Sequence, residues 1–168
     1  MKKIYCKIHK CLACRSCELA CAAAHSESKN LPDSVGENIL PKSRIHVEFI
    51  DEKGSPQRVR SMAIQCRHCE EPLCEQACIS GGIRKDEKTG NIIVNPEKCV
   101  GCWSCIMVCP IGAIVKNENI HQALKCDYCP DLDTPACIAA CPTGALVYCE
   151  PEEVEIETIE KKMEKEQP

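Results

Sequence analysis

Apolar and polar residues alternate most clearly from Arg44 to Ile50, where Ile45, Val47 and Phe49 interleave with His46 and Glu48. That period of two predicts a strand with one face turned inward. A further strand is expected from Arg58 to Ile64, and with Gly54 between the two runs they predict a β-hairpin. Elsewhere the apolar runs are brief. Ile92-Ile93-Val94 and Ala113-Ile114-Val115 read as short strands, and a second hairpin is expected to turn at Lys88-Thr89-Gly90-Asn91. The only helices expected are short ones ending at the last cysteine of a local group, such as Ser104 to Cys109. Residues 26–43, with Pro32, Gly36 and Pro41, read as a loop. After Cys149, Ile156, Ile159 and Met163 recur at helical spacing among Glu and Lys, a pattern open to an amphipathic docking helix or a solvated tail.

Composition changes this picture, because 18 of the 168 residues are cysteine. That exceeds the roughly 8–10% that marks a cysteine-dependent scaffold. Without them the apolar share of 44% falls to about a third of the chain, and there are one Trp, one Phe and three Tyr. A core so small needs cross-links, either disulfides or metals. Disulfides belong to oxidising compartments, reached through a signal peptide. Met1-Lys2-Lys3 is followed by no apolar signal core and no twin-arginine pair, and no stretch reaches the ~20 apolar residues of a membrane span. The expectation is a cytoplasmic protein whose thiols serve as metal ligands.

The formal charge of −4 is uneven: residues 150–168 hold eight Glu and three Lys. At the other end Lys2, Lys3, Lys7, Lys10 and Arg15 precede the first acid, Glu18, giving a basic strip that meets either solvent or an acidic partner.

The cysteines fall into four groups of alternating design, an internal repeat suggesting two duplicated halves. Cys11, Cys14, Cys17 and Cys21 form C-x2-C-x2-C-x3-C, and Cys99, Cys102, Cys105 and Cys109 repeat it. The intervening and final groups are expanded: Cys66, Cys69, Cys74 and Cys78, then Cys126, Cys129, Cys137 and Cys141. A cubane [4Fe-4S] cluster takes four thiolates, and two-residue gaps let one tight turn reach three of its corners. In two-cluster ferredoxins the fourth Cys of a C-x2-C-x2-C-x3-C-P run ligates the other cluster. Cys109-Pro110 and Cys141-Pro142 match that ending, whereas Cys21 and Cys78 are not followed by Pro. Zinc also uses C-x2-C pairs, but with longer spacers than these compact runs show.

Residues 1–149 resemble the four-cluster ferredoxins that serve anaerobic oxidoreductases, among them the partners of carbon monoxide dehydrogenase, formate dehydrogenase, hydrogenase and dimethyl sulfoxide reductase. The resemblance rests on the four cysteine groups in order and on Cys109-Pro110-Ile111-Gly112-Ala113 and Cys141-Pro142-Thr143-Gly144-Ala145. The opening Cys11-Leu12-Ala13-Cys14-Arg15-Ser16-Cys17-Glu18-Leu19-Ala20-Cys21 looks most like the carbon monoxide dehydrogenase and formate-linked hydrogenase partners. It implies an α+β fold, a duplicated bacterial-ferredoxin fold of two pseudo-symmetric dicluster halves with short strands, short helices and an inserted hairpin. The outer half would be about residues 1–30 plus 117–149, the inner half about 57–116, the hairpin about 43–64, and the acidic tail 150–168.

Carried onto this sequence, the resemblance implies four [4Fe-4S] clusters. Cluster 1 would take Cys11, Cys14, Cys17 and Cys141; cluster 2, Cys66, Cys69, Cys74 and Cys109; cluster 3, Cys99, Cys102, Cys105 and Cys78; cluster 4, Cys126, Cys129, Cys137 and Cys21. Four oxidised clusters would add about eight negative charges to the chain. The implied role is a one-electron relay in a hetero-oligomeric complex, between a catalytic subunit and a second redox partner. The alternative from another class is a cluster- or zinc-bearing structural or assembly subunit.

No radical-SAM cysteine run, Gly-rich dinucleotide loop, nucleophile–base pair or DNA-binding helix-turn-helix is found, so no catalytic residue is expected. Cys6 and Cys149 are left over in expected terminal strands, as buried thiols or as a neighbouring pair beside the outer clusters. His9, His25, His46, His68 and His121 read as surface or hydrogen-bonding residues, with His68 the best placed to support a ligand.

Overall fold

The computed structural model describes residues 2–51 and 59–153. The turn of the first expected hairpin and the helical spacing of Ile156, Ile159 and Met163 therefore lie outside the described residues.

The chain begins with strand β1 (Lys3–Cys6), a 3-10 turn at Ile8–Lys10 and helix α1 (Ser16–Ala24). A helical turn α2 (Leu31–Ser34) and the ribbon β2 (Ile45–Asp51) and β3 (Val59–Gln65) follow. Then come α3 (Leu73–Gln76), β4 (Ile83–Lys85), β5 (Ile92–Val94), α4 (Ser104–Met107), β6 (Val115–Asn117), β7 (Gln122–Leu124), α5 (Ala136–Ala139) and β8 (Leu146–Cys149). This is a small α+β structure of short strands and short helices.

The strands form four two-stranded antiparallel ribbons. Three are local hairpins. The fourth pairs β1 with β8, setting Lys3 opposite Cys149 and Cys6 opposite Leu146. The expected alternation holds in β2, where Ile45 and Val47 are buried and Glu48 is exposed. Phe49, expected inward, is 62% exposed. The second expected hairpin forms across β4–β5, with Asp86 and Asn91 closing its turn at 2.8 Å. The strand expected at Ala113-Ile114-Val115 begins two residues later, because Ala113 and Ile114 are spent filling the interior.

Helix α1 departs from expectation by running three residues beyond Cys21. Its continuation is Ala22-Ala23-Ala24, the best helix formers, whereas Pro or Gly follows the other three final cysteines within three residues. Cys17 and Cys21, four apart, make its buried face. The loop expected over residues 26–43 contains α2, begun by Pro32 near its N-terminus and pinned by Ser34 Oγ donating to the Leu31 carbonyl at 2.8 Å.

Isolated two-stranded ribbons are marginal in water, so these must be held by what lies between them. Among the described residues, seven of the nineteen buried apolar ones are cysteines. One core joins Ile4, Ile45, Val47, Ala63, Tyr128 and Leu146 with buried thiols, and a second joins Ile83, Ile92, Ile114 and Ala123 with Cys105. Cys109 packs against both. Thiols thus occupy positions that aliphatic side chains fill in an ordinary domain.

Gly101 shows how tightly the cysteine turns are drawn. Its φ is +65°, and a Cβ there would lie 2.5 Å from the His121 carbonyl oxygen. Gly112, also at positive φ, has open space around it. Gly101→Ala is expected to lower stability by about 1–3 kcal/mol more than Gly112→Ala, because only the first adds a backbone clash to the left-handed strain. Chemical denaturation of the two iron-loaded variants checks this; equal losses would contradict it.

Candidate metal centres

Left-handed backbone gathers in the cysteine turns: Ala13 and Arg15 in the first group, His68 in the second, Gly101 and Trp103 in the third, Tyr128 and Cys129 in the fourth. Left-handed residues set into these turns curl the chain tightly, a backbone arrangement that suits an anionic centre. A second device recurs after the last cysteine of three groups. Gly81, Gly112 and Gly144 each sit three residues beyond a cysteine at positive φ, with their N–H donated to the Cys78, Cys109 and Cys141 carbonyls at 3.1–3.3 Å. The turn folds the following backbone over the sulfur.

All eighteen cysteines lie among the described residues and none is in a disulfide. The structure brings sequence-distant members together. Cys11, Cys14, Cys17 and Cys141 line one small cavity with Val47, Ala63 and Leu146. Cys99, Cys102, Cys105 and Cys78 line another with Ile83 and Ala123. Cys137 lies in the electrostatic field of Cys126, Cys21 and Cys129, and all four are buried. Cys74 lies in that of Cys66 and Cys109. Cys69, which ends the turn that Cys66 begins, is exposed.

These sets also adjoin one another in a definite order. Cys137 feels Cys17, Cys126 feels Cys66, and Cys105 feels Cys74. The sets therefore lie within electrostatic reach of one another in the order Cys11/14/17/141, Cys21/126/129/137, Cys66/74/109 and Cys78/99/102/105. The two ends of this order reach solvent at Cys14 and Cys102, and the second group does so at Cys69.

Backbone amides point at the sulfurs. The N–H of Ile83 is donated to Cys78 at 3.3 Å, that of Ala113 to Cys109 at 3.3 Å, that of Ala123 to Cys99 at 3.5 Å and that of His68 to Cys66 at 3.4 Å. Cys21 has no Gly turn after it, since α1 continues. The missing donor comes from outside the group: Arg44, at the mouth of β2, gives its N–H to Cys21 Sγ at 3.2 Å. The absence of Pro after Cys21 is thus matched by a loop that returns to serve it. After Cys78, Gly81 performs the turn without Pro.

Burial pushes the Cys17 and Cys105 thiols up to about 11 and Cys126 up to about 12, while Cys137 is also raised by burial. Exposed Cys14 is lowered by the Ser16 side chain and N–H, and Cys102 by the Ser104 N–H and hydroxyl. Buried thiols of this kind ionise only against a strong Lewis acid, so metal binding would displace their protons. Soft sulfur donors gathered in this way, with amides aimed at the sulfur, fit [4Fe-4S] clusters.

Several residues outside the sixteen assigned cysteines lie close to these sets. Cys6 lines the first cavity, beside Cys11 and Cys141, and accepts the Ala63 N–H at 3.5 Å. Cys149 is opposite Lys3, three positions along the ribbon from Leu146, the partner of Cys6. A three-residue offset is about 10 Å along a strand, so the alternative of a neighbouring pair does not form; both thiols are half-buried. His25 approaches Cys129 Sγ at 3.9 Å and Asp127 at 3.5 Å, and Asp127 is bridged by Arg44 at 2.5 Å. Burial works to raise the Asp127 carboxyl, but Arg44, the Cys129 N–H and His25 together hold it below the usual range. The guanidinium already answers that carboxylate, so His25, Asp127 and Cys129, though close, do not form a separate cation site.

His68 is not a surface residue. It is 1% exposed, stacks on Tyr128 with ring centroids 4.1 Å apart, and accepts the Ile92 N–H at Nδ1 at 2.9 Å. Burial holds its pKa down at about 3, so the ring is neutral with its proton on Nε2. Among the described residues no helix is long and apolar enough to cross a membrane.

Comparison with known proteins finds iron-sulfur relatives. The family described as 4Fe-4S dicluster domain matches residues 58–150, which hold three of the four cysteine groups. An "Iron-sulfur protein" of Rhodospirillum rubrum is 36% identical over 151 residues, covering 80% of this chain and 75% of that protein. "Electron transport protein HydN" of Escherichia coli (strain K12) is 37% identical over 169 residues, covering 91% of this chain and 90% of its own length. The B subunit of anaerobic dimethyl sulfoxide reductase from the same organism is 33% identical over 143 residues, covering 82% of this chain and 67% of that subunit.

Proposed function

This chain belongs to the 4Fe-4S dicluster family, and from that membership we propose that it is a four-cluster electron relay built as two ferredoxin-like halves. The first half spans about residues 1–30 and 117–149, and the second about 57–116, with the β2–β3 hairpin inserted. The ligand sets are Cys11/14/17/141, Cys21/126/129/137, Cys66/69/74/109 and Cys78/99/102/105. The observation that carries the proposal is the gathering of sequence-distant cysteines, Cys141 with Cys11, Cys14 and Cys17 in one cavity and Cys78 with Cys99, Cys102 and Cys105 in another, with the remaining groups within electrostatic reach between them. Each cluster, when bound, supplies one site that accepts and releases a single electron.

The chain's own part is to hold those sites apart from water, in order, and to set their electrostatics. The amides on Cys21, Cys66, Cys78, Cys99 and Cys109 offset the negative charge that reduction adds. The relatives named as an electron transport protein and as a dimethyl sulfoxide reductase subunit support electron carriage. The partners we propose are a catalytic subunit of carbon monoxide dehydrogenase, formate dehydrogenase or hydrogenase type and a second redox protein, in the cytoplasm. Exposed Leu12, beside Cys14 with Arg15, offers one docking rim; exposed Val100, beside Cys102, offers the other.

Anaerobic co-purification followed by rapid mixing tests the proposal. A co-purifying dehydrogenase given its substrate is expected to reduce the iron-sulfur absorbance of this protein within its own turnover time. Slow or absent reduction by every bound partner would favour a structural or assembly subunit instead.

A further inference from the structure

Lys125 is an ammonium where none is expected. It is 3% exposed, and no carboxylate pairs with it among the described residues. Its Nζ donates to the Ile92 carbonyl and, at 2.9 Å, to the Cys126 carbonyl. The nearest acid along the chain, Asp127, is engaged by Arg44 and His25. A buried cation without a counter-ion is costly, and two carbonyl dipoles offset only part of that.

Its position shows where the rest of the compensation lies. Lys125 adjoins Cys126, and its field also reaches Cys74, favouring the thiolate there. Ile92, 1% exposed, is clamped on both sides: its carbonyl takes the Lys125 ammonium while its N–H goes to His68, in the turn between Cys66 and Cys69. His68 in turn stacks on Tyr128, between Cys126 and Cys129. Lys125, His68, Ile92 and Tyr128 therefore fill the seam between the Cys21/126/129/137 set and the Cys66/69/74/109 set.

We propose that Lys125 is a resident internal cation that favours reduction at the two cysteine sets meeting in this seam. The inference rests on the four-cluster reading above. Reduction of a cluster there adds one electron and neither makes nor breaks a bond, the electron coming from a redox partner or, in the test, from dithionite. The added negative charge lies in the field of Lys125, so the reduced form is stabilised more than the oxidised one. The two end sets do not border this seam and feel it less. Lys125 is a positioning charge and ligates nothing.

The test is a mediator-controlled dithionite titration, followed by electron paramagnetic resonance, of the full chain loaded with iron and sulfide. Wild type is compared with Lys125→Gln and Lys125→Met, which remove the charge, and Lys125→Arg, which keeps it. The neutral variants are expected to make reduction of two clusters about tenfold less favourable, a fall of about 59 mV for a one-electron couple. The other two clusters and the Arg variant are expected to stay near wild type. Unmoved potentials in a fully loaded neutral variant would overturn the proposal, as would an equal shift of all four. Loss of iron from both neutral variants would make Lys125 a structural pin and overturn it as well. Wild type that carries zinc, or fewer than four clusters, would strike the underlying reading instead.

Discussion

Anaerobic removal of iron with a strong chelator is expected to unfold this protein, abolishing both its far-UV signal and its cooperative thermal transition. The elements it would leave are four ribbons, three of them with strands of only three or four residues, and helices mostly of four. None of these is stable alone. Seven of the nineteen buried apolar residues among those described are thiols. In the first cavity a turn near the start of the chain meets Cys141, and in the second Cys78 meets the turn of Cys99 to Cys105. A metal centre in each cavity closes those long loops, and its binding energy becomes folding energy. Burial holds Cys17, Cys105 and Cys126 protonated when no metal draws the proton away, so the emptied sets have nothing that bridges them. A chelated sample that kept its cooperative transition would show that the ordinary core suffices.

The second large effect separates two cysteines with the same assigned role. Cys137→Ser is expected to lose a whole cluster, about four iron atoms, and to fold poorly, whereas Cys102→Ser is expected to lose about one and stay folded. Cys137 is buried among Cys126, Cys21 and Cys129, in the set that has no exposed member. A serine there leaves a hydroxyl without an acceptor, at about 1–3 kcal/mol, and opens the centre of the core. Cys102 is exposed, and its sulfur meets the Ser104 hydroxyl at 3.6 Å. Removing that corner uncovers one iron to water and leaves the packing alone. Iron analysis and thermal denaturation of both variants check this, and equal iron loss from the two would contradict it.

The hairpin of β2 and β3 is legible in the sequence because alternation fixes a face, and the turn after Lys85 because Gly90 and Asn91 mark it. The cysteine groups are legible because ligand spacing is local. What the sequence conceals depends on residues brought together from afar. Arg44 serves Cys21 across 23 positions, and Lys125 reaches Ile92 across 33. A lysine in a chain of 21 Lys and Arg residues carries no mark of burial. His68 stands out in the sequence as the histidine nearest a ligand turn, but its work is done through Ile92 and Tyr128, which no spacing rule connects to it. The extension of α1 is readable from three alanines only where helix propensity is weighed above the cysteine repeat.

The most direct test is the iron, acid-labile sulfide and zinc content of anaerobically prepared protein, per chain. Four clusters require about sixteen iron and sixteen sulfide. About eight of each would leave half of the cysteine sets without a centre, and zinc without sulfide would contradict the relay altogether.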